Sequence, residues 1–163
     1  MVDLNRIAGF LREKRDVILA TAGETMERAH LPHYPHPGQR EPMDRLTALY
    51  DIVLGCATDH NLSPIASYAH KIARERHAAG IQLSEVQTAI NVLEESIWRA
   101  ILSDVTPDQQ GETLGVVGTI LGQVKDKLAC AYVEIATHHA TRTLDFKELF
   151  HGVDEGHEEP ETD

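Results

Sequence analysis

The stretch between residues 68 and 98 constrains the fold of this chain more than any other part of the sequence. It contains a basic helical segment that ends at Gly80, a short apolar link, and a second segment that begins at Ser84. Glycine is the residue that most readily takes the left-handed conformation found at helix ends. Ser84 and Gln87 stand three positions apart, which is the spacing of a capping box. The sequence therefore predicts two helices joined by a tight corner.

Apolar residues after this corner recur every three or four positions, which is the period of a helix with one buried face. They are Val86, Ile90, Leu93, Ile97 and Ile101. No segment shows the strict alternation of apolar and polar residues that is typical of a strand. The sequence therefore predicts an all-α fold.

Capping residues and prolines mark where the other helices begin. Asp3 can cap a first helix, Ser63 precedes Pro64, and Thr106 precedes Pro107. Proline at the first helical position is a start signal, because the N–H that it lacks has no partner there. The predicted helices run from Leu4 to about Arg28, from about Pro42 to Asp59, from Pro64 to Ala79, from Ser84 to about Ser103 and from Pro107 to about Thr143. Residues 29–42 hold four prolines and predict a long loop.

The last predicted helix is the longest and carries two patterns. Its apolar residues repeat at intervals of three and four, as in helices that pack along their whole length; they are Leu114, Val117, Leu121, Val124, Leu128, Ala131 and Ile135. Beside them lie four glycines on one helical face, Gly111, Gly115, Gly118 and Gly122. Each glycine costs a helix interior about 1 kcal/mol relative to alanine. We therefore expect another backbone to approach this face, either from the same chain or from a second subunit. A bent or frayed helix is the alternative.

The long helix also supplies the predicted interface of a homodimer. One apolar stripe fills the core of a single domain, whereas the adjacent glycines offer a shallow groove that a second subunit would cover. Twofold dimers use the same patch on both partners. The expected interface residues are Gly111, Gly115, Gly118, Gly122 and Leu121.

Net charge and composition limit the classes of function. The formal net charge is −11, whereas nucleic-acid and anionic-membrane binders are usually basic. The best candidate for a local basic patch that could bind an anion consists of Arg12, Lys14 and Arg15. The alternative is that these residues form a solvated helix face. No apolar run approaches the roughly 20 residues of a membrane span. We expect no nucleic-acid partner and no membrane partner.

The two cysteines and the N-terminal residues indicate the cellular compartment of the protein. Cys56 and Cys130 both lie in predicted helices, where each is expected to be a small buried hydrophobe. They form no secreted disulfide framework, and the first residues lack the apolar core of a signal peptide. We therefore expect a cytoplasmic, reduced protein.

Two groups of histidines are candidates for metal or haem binding. His30, His33 and His36 lie in the proline-rich loop and could converge on Zn or Ni; the prolines between them splay the side chains, so a solvated loop is the alternative. His70 and His77 share a face of the third helix and could offer one ligand to haem iron. A hydrogen-bonded or solvated histidine is the alternative there. We expect no cofactor and no structural metal.

Catalytic motifs are absent from the sequence. Glu94 with Glu95 and Glu24 with Glu27 are the nearest approach to paired carboxylates for acid–base work, and solvated faces explain both pairs. Phosphate-binding glycine loops, nucleophile elbows and HExxH motifs do not occur. We therefore expect no enzyme.

The composition changes after the last helix. Residues 144–163 hold eight acidic residues against one lysine, and such a stretch buries too little apolar surface to order itself. The predicted organisation is one helical domain over residues 1–143 and an acidic, partly disordered tail over residues 144–163.

Residues 73–98, with the sequence ARERHAAGIQLSEVQTAINVLEESIW, resemble the middle of the N-terminal sensor domain of RsbRD-type proteins, the RsbT co-antagonist family of bacterial stress signalling. The likeness follows the order of the helices over about residues 4–137, including a long last helix that reaches Tyr132. It implies a globin-like bundle of about five main helices, without haem, paired as a dimer through its terminal helices. The family motif carries no catalytic residues.

This resemblance implies a non-catalytic, cytoplasmic sensor or regulatory domain that acts by binding a regulatory protein or a ligand. In the family the sensor domain usually precedes a phosphorylatable STAS domain, which this sequence lacks. Both a stand-alone regulator and the sensor of a longer protein therefore stay open. The alternative function is a small-molecule, haem or metal-binding globin-like protein, and a small hydrolase with a dispersed site is a second alternative.

Overall fold

The computed structural model describes residues 2–29 and 40–143, without the side chains of residues 40, 41 and 139–143. These residues form α1 (Leu4–Ala29), α2 (Arg40–Asp59), α3 (Pro64–Ala78), α4 (Leu83–Asp104) and α5 (Pro107–Thr143). No strand occurs within the two described ranges. The predicted all-α fold with a long last helix is confirmed, and the helix boundaries agree within about two residues. The predicted loop, apart from its ends, and the predicted acidic tail lie outside the described residues.

Local chemistry explains where three of the helices begin. The Asp3 carboxylate accepts a hydrogen bond from the backbone N–H of Arg6 at 3.1 Å and so caps α1. Pro64 and Pro107 are the first residues of α3 and α5, where the missing N–H of proline costs nothing. Ser63 occupies the cap position of α3, although its side chain makes no capping hydrogen bond.

The corner between α3 and α4 has the predicted left-handed glycine. Gly80 has a φ of +74°, and its N–H donates to the carbonyl of His77 at 3.0 Å. The N–H of Ile81 donates to the carbonyl of Arg76 at 3.0 Å. This pair of bonds is a Schellman motif, which satisfies carbonyls that the end of α3 would otherwise leave without partners. Ile81 is buried directly after the corner, so the turn is anchored in the core.

The predicted capping box of α4 was wrong by two residues. The cap residue is Gln82, not Ser84, and the Glu85 carboxylate, not Gln87, accepts a hydrogen bond from the Gln82 backbone N–H at 3.4 Å. Gln82 is extended, with φ −74° and ψ 149°, because the chain must leave the Schellman corner before it can turn again. The corner, and not the serine hydroxyl, therefore sets the first residue of α4.

The helices pack around one apolar core. α5 packs most extensively on α3 and also on α4, while α1 packs on α2 and α4. Ala69 and Ala73 of α3 are fully buried, and their small side chains let α3 approach α5 closely. The largest fully buried side chains come from all five helices, among them Ile7, Leu11, Tyr50, Ile65, Leu93, Ile97, Leu121 and Leu128. Burying one such aliphatic side chain contributes about 1.5–3 kcal/mol.

Tyr50 is the largest of these fully buried side chains and ties α2 to α1. Its hydroxyl donates a hydrogen bond to the backbone carbonyl of Leu11 at 2.7 Å. Burial raises the pKa of Tyr50 well above its ordinary value, because the phenolate would lose its hydration. The neutral phenol is therefore the form that the folded core accepts.

Substituting Gly80 with alanine is expected to lower the free energy of unfolding by about 1–2 kcal/mol, because a Cβ is strained at positive φ. Gly9 of α1 supplies the matched control: a Cβ there meets no atom within 4 Å, and Gly9→Ala should stabilise by roughly 0.5–1 kcal/mol. Urea unfolding followed by circular dichroism measures both. A Gly80→Ala variant as stable as the wild type would show that the corner does not need its left-handed residue.

Tyr50→Phe should lower the free energy of unfolding at neutral pH by about 1 kcal/mol through the lost hydrogen bond to Leu11. It should also change the alkaline pH dependence. The raised folded pKa of Tyr50 means that the folded state keeps a proton that the unfolded state releases, so stability falls as pH rises above about 10. The phenylalanine variant lacks this component, and its stability should fall less steeply there. Equal slopes for the two proteins would contradict the prediction.

Candidate functional site

Gly111, Gly115, Gly118 and Gly122 form one outward side of α5, called here the glycine face. The first two are exposed and the last two half-buried. A Cβ placed on any of the four would meet no atom within 4 Å. Within the described ranges, therefore, no other part of this chain packs against the glycine face. The sequence left open whether the approaching backbone belongs to the same chain or to a second subunit. The described residues of the same chain do not supply it, and the second subunit stays a prediction.

The glycine face has no explanation inside the described structure. α5 is one continuous helix from Pro107 to Thr143, so a frayed first half is wrong, whereas a bent first half stays an open alternative. Four alanines would fit without a clash and would favour the helix by about 1 kcal/mol each. A helix with glycine at all four positions is therefore less stable by roughly 4 kcal/mol than the same helix with alanine. No contact among the described residues explains why glycine is kept there.

Leu121 lies on the other side of α5 from the solvent. Its side chain is fully buried in the core of its own chain. Leu121 therefore packs in the core behind the glycine face and has no exposed surface with which to contact a partner. Its sequence neighbour Gly122 is half-buried and, like Gly118, belongs to the outward glycine face.

An apolar groove of about 490 Å³ borders the glycine face at Gly111 and Gly115. Its walls come from the start of α1, the end of α2 and the first half of α5. Val2 and Leu62 line this groove and are exposed to solvent. Exposed large apolar side chains at a groove are typical of surfaces that contact another molecule.

Two exposed apolar side chains of α4 extend the surface on the other flank. Trp98 is 43% exposed and Leu102, one turn later, is 57% exposed. The Gln110 side-chain amide donates to the carbonyl of Leu102 at 3.2 Å, and Lys125 pairs with Glu94 at 2.8 Å. These two contacts show that α4 and α5 run antiparallel, so Trp98 lies level with the middle of the glycine face. The five residues of the predicted apolar stripe of α4 are all buried, and that stripe does not include Trp98 or Leu102.

Glu94 and Glu95 do not form an acid–base pair. Glu94 accepts a hydrogen bond from Lys125 of α5 at 2.8 Å, and Glu95 pairs with Arg99 one turn along α4. Glu24 and Glu27 are exposed on α1, as expected for a solvated helix face. None of the four carboxylates lines either the groove or a smaller, partly open cavity of about 40 Å³ where α2, α3, α4 and α5 meet.

The basic group of α1 is used in contacts between helices. Lys14 pairs with Asp104 of α4 at 2.8 Å, and Arg15 pairs with Asp51 of α2 at 2.9 Å. The hydrogen bond between Lys14 and Asp104 lowers the pKa of Asp104 and raises that of Lys14. Arg12, the third member of the group, donates to the Thr58 hydroxyl at 3.5 Å. Two of the three charges are therefore matched by carboxylates of neighbouring helices.

The two histidines of α3 have different surroundings. His70 is exposed and lies 3.5 Å from the Glu134 carboxylate. The ring of His77 meets the ring of Tyr132 edge-on, with centroids 6.0 Å apart. His30, His33 and His36 lie outside the described residues. Among the residues that the structure does describe, no group of three or more histidine, cysteine, aspartate or glutamate side chains could hold a metal ion.

The two cysteines are not alike, and the expectation that both are buried was wrong for one. Cys56 is buried, which raises the pKa of its thiol, whereas Cys130 is exposed. The buried stripe of α5 passes through Leu128 and Ala131. Cys130 is two residues from Leu128 and so points about 200° away from it around the helix.

Thiol titration tests this difference. In the native protein a water-soluble disulfide reagent should modify Cys130 rapidly and leave Cys56 unmodified, because the latter is buried with a raised thiol pKa. In denaturant both should react at similar rates. Mass spectrometry of proteolytic fragments identifies the labelled residue. Rapid labelling of Cys56 in the native state would contradict its placement in the core.

Within residues 2–29 and 40–143, none of the helices combines the length and the apolar character that crossing a lipid bilayer requires. This agrees with the polar residues that interrupt every apolar stripe.

Comparison with known proteins identifies a family over most of the chain. Residues 19–146 match the family model described as the RsbT co-antagonist protein RsbRD N-terminal domain. No curated protein and no solved structure gives a match. The match includes the Gly80 corner and the glycine face and extends to the end of α5. On this basis the chain belongs to the RsbRD N-terminal domain family, a family of stress-signalling regulatory domains.

Proposed function

We propose that this domain acts without catalysis, as a cytoplasmic homodimer that binds a regulatory protein and changes that binding in response to a signal. Family membership supports the regulatory role. The family description names RsbT, so the proposed partner is a protein of the RsbT system. The reduced state of the cytoplasm is compatible with the two unpaired cysteines.

The observation that carries the dimer is the uncovered glycine face. Nothing in the described chain lies within 4 Å of a Cβ at any of its four positions. Glycine is favoured where a second backbone must approach closely. A second copy of α5, crossing the first near Gly118, would supply that backbone and would account for the stability given up at the four positions.

The flanks of the glycine face support the same arrangement. Trp98 and Leu102 on one side, and the groove that Val2 and Leu62 line on the other, leave apolar surface in contact with water. A twofold axis through the glycine face brings the flanks of each subunit over the other subunit. Burial of this surface contributes about 25 cal/mol per Å², which supplies the driving force that four glycines alone lack.

The length of α5 suggests how the dimer transmits a signal. The helix continues from Gly118 to Thr143, a distance of about 37 Å at 1.5 Å per residue. A small change in the crossing angle at the glycine face would therefore be amplified at the far end of the helix. This geometry suits a domain that reports its state to another protein.

The alternative of a haem protein has no observation in its favour. Neither His70 nor His77 lines the partly open cavity where α2, α3, α4 and α5 meet. Small-molecule binding of another kind would use that cavity, whose lining is mostly aliphatic.

Gly118→Leu should weaken self-association, because the new side chain separates the two backbones. Sedimentation at micromolar concentrations should show a wild-type dimer and a dissociation constant raised about tenfold or more in the variant. Gly9→Leu on α1 is the matched control, since a Cβ at Gly9 also meets no atom within 4 Å, and it should leave the dimer intact. A monomeric wild type, or a Gly118→Leu variant that associates as tightly as the wild type, would refute the proposed interface.

Trp98 gives a second, independent readout, because it is the only tryptophan in the chain. Dilution through the dissociation constant should shift its fluorescence emission to longer wavelength as its exposed ring returns to water. Gly118→Leu should show the shifted spectrum at all concentrations. An emission maximum that stays constant while sedimentation shows dissociation would place Trp98 outside the interface.

A further inference from the structure

Two apolar features of the surface lie on opposite flanks of the glycine face. On one flank Trp98 and Leu102 of α4 project into solvent, 43% and 57% exposed; this pair is called here the ridge. On the other flank lies the apolar groove that Val2 and Leu62 line. No described residue of α4 lines the groove, so α5 separates the ridge and the groove of one subunit.

The ridge and the groove lie at the same level along α5. The groove borders α5 from Gly111 to Ile120. At the ridge, the Leu102 carbonyl accepts a hydrogen bond from Gln110, and Glu94, two turns earlier on α4, pairs with Lys125. Trp98 is halfway between Glu94 and Leu102 and therefore lies near Gly118. Both features thus flank the first half of α5.

A twofold dimer through the glycine face can have its two α5 helices parallel or antiparallel. In the parallel dimer the axis runs along α5, so each flank of one subunit faces the opposite flank of the other. In the antiparallel dimer the axis runs across α5, so each flank faces its own copy. Only the parallel dimer places each ridge over a groove. The antiparallel dimer places groove against groove, and the atoms that line both hollows lose packing contacts.

The charges beyond Gly122 also distinguish the two arrangements. Asp126 is exposed on the groove side of α5, whereas Lys125 lies on the ridge side, where it pairs with Glu94. Because the parallel dimer exchanges the flanks, Asp126 faces the partner subunit's Lys125, an opposite charge. In an antiparallel dimer centred on Gly118, Asp126 comes within two residues of the level of the partner subunit's Glu112, a like charge. Electrostatic complementarity therefore favours the parallel dimer.

We infer that two copies of the chain pair with their α5 helices parallel, and that Trp98 and Leu102 of each subunit occupy the apolar groove of the other. This inference rests on the proposed function, because it needs the homodimer and assigns the occupant of its flanks. Each groove is then completed only by residues of the second subunit.

Parallel pairing has a consequence for signalling. α5 continues from Gly118 to Thr143, about 37 Å, so a parallel dimer presents both ends of α5 at one end of the molecule. In an antiparallel dimer the two ends would be about 75 Å apart. A single regulatory protein can therefore contact both ends of α5 only in the parallel dimer.

The distance between spin labels tests the orientation. Thr137 is exposed and lies 19 residues beyond Gly118, about 28 Å along the helix. In Thr137→Cys combined with Cys130→Ser, double electron–electron resonance should give a separation below about 35 Å, as in parallel helices that cross at a common packing angle. Cys130→Ser alone is the control for labelling of the buried Cys56 and should give no distance. A separation near 57 Å would show antiparallel helices and overturn the inference.

A double-mutant cycle tests whether the ridge occupies the groove. Trp98→Ala and Leu62→Ala should each raise the dissociation constant of the dimer about tenfold. Because these side chains meet only across the dimer, the double variant should fall short of the product of the single effects by about threefold or more. Val17→Ala is the matched control, since Val17 is 64% exposed and does not line the groove, and it should leave the dissociation constant unchanged. Effects of Trp98→Ala and Leu62→Ala that multiply would overturn the inference.

These outcomes separate the inference from the proposed function. Sedimentation of the wild type tests the homodimer itself, and a monomer refutes both the homodimer and the parallel pairing. A wild-type dimer with a long label distance, or with multiplying effects in the cycle, leaves the homodimer standing and refutes only the pairing of ridge and groove.

Discussion

The packing of the buried stripe of α5 is the interaction on which the rest of the structure depends. Val117, Leu121, Val124 and Leu128 are almost completely buried, and α3 and α4 both pack on this helix. The stripe fixes the rotation of α5 about its own axis, because turning the helix would expose four core residues at once. The glycine face lies beside the stripe, so the same constraint directs it outward. The uncovered surface is therefore a consequence of how the core is built.

The Gly80 corner is the second constraint, and it links local backbone chemistry to the interior. Its Schellman bonds use the carbonyls of Arg76 and His77, so the end of α3 cannot move without the start of α4. Because Ile81 is buried after the corner and accepts a hydrogen bond from Tyr132, three helices meet at one short turn. The buried guanidinium of Arg76 belongs to the same turn and lines the cavity.

Helix ends that depend on local backbone and side-chain chemistry were predicted correctly from the sequence. Side-chain exposure that depends on tertiary packing was not. Asp3, Pro64, Pro107 and Gly80 act through their own backbone or side chain, and their predicted roles as helix ends are confirmed. The start of α4 was missed because the preceding corner overrides the serine. Helical period gives the angle between two residues but does not show which side another helix covers. For that reason the exposure of Cys130 and the burial of Arg76 were not predictable, and the cavity was not foreseen.

One helix joins the two features that the chain offers for function. Val124 and Leu128 contribute to the wall of the cavity, while Gly118 and Gly122 lie on the outward glycine face within three turns of them. A close-packed core does not deform continuously but moves between discrete arrangements. A shift of Val124 in the core would therefore move the glycine face with it, since both lie on the same helix. Coupling between the core and the outer surface then needs no long pathway, because α5 itself carries both the buried stripe and the glycine face.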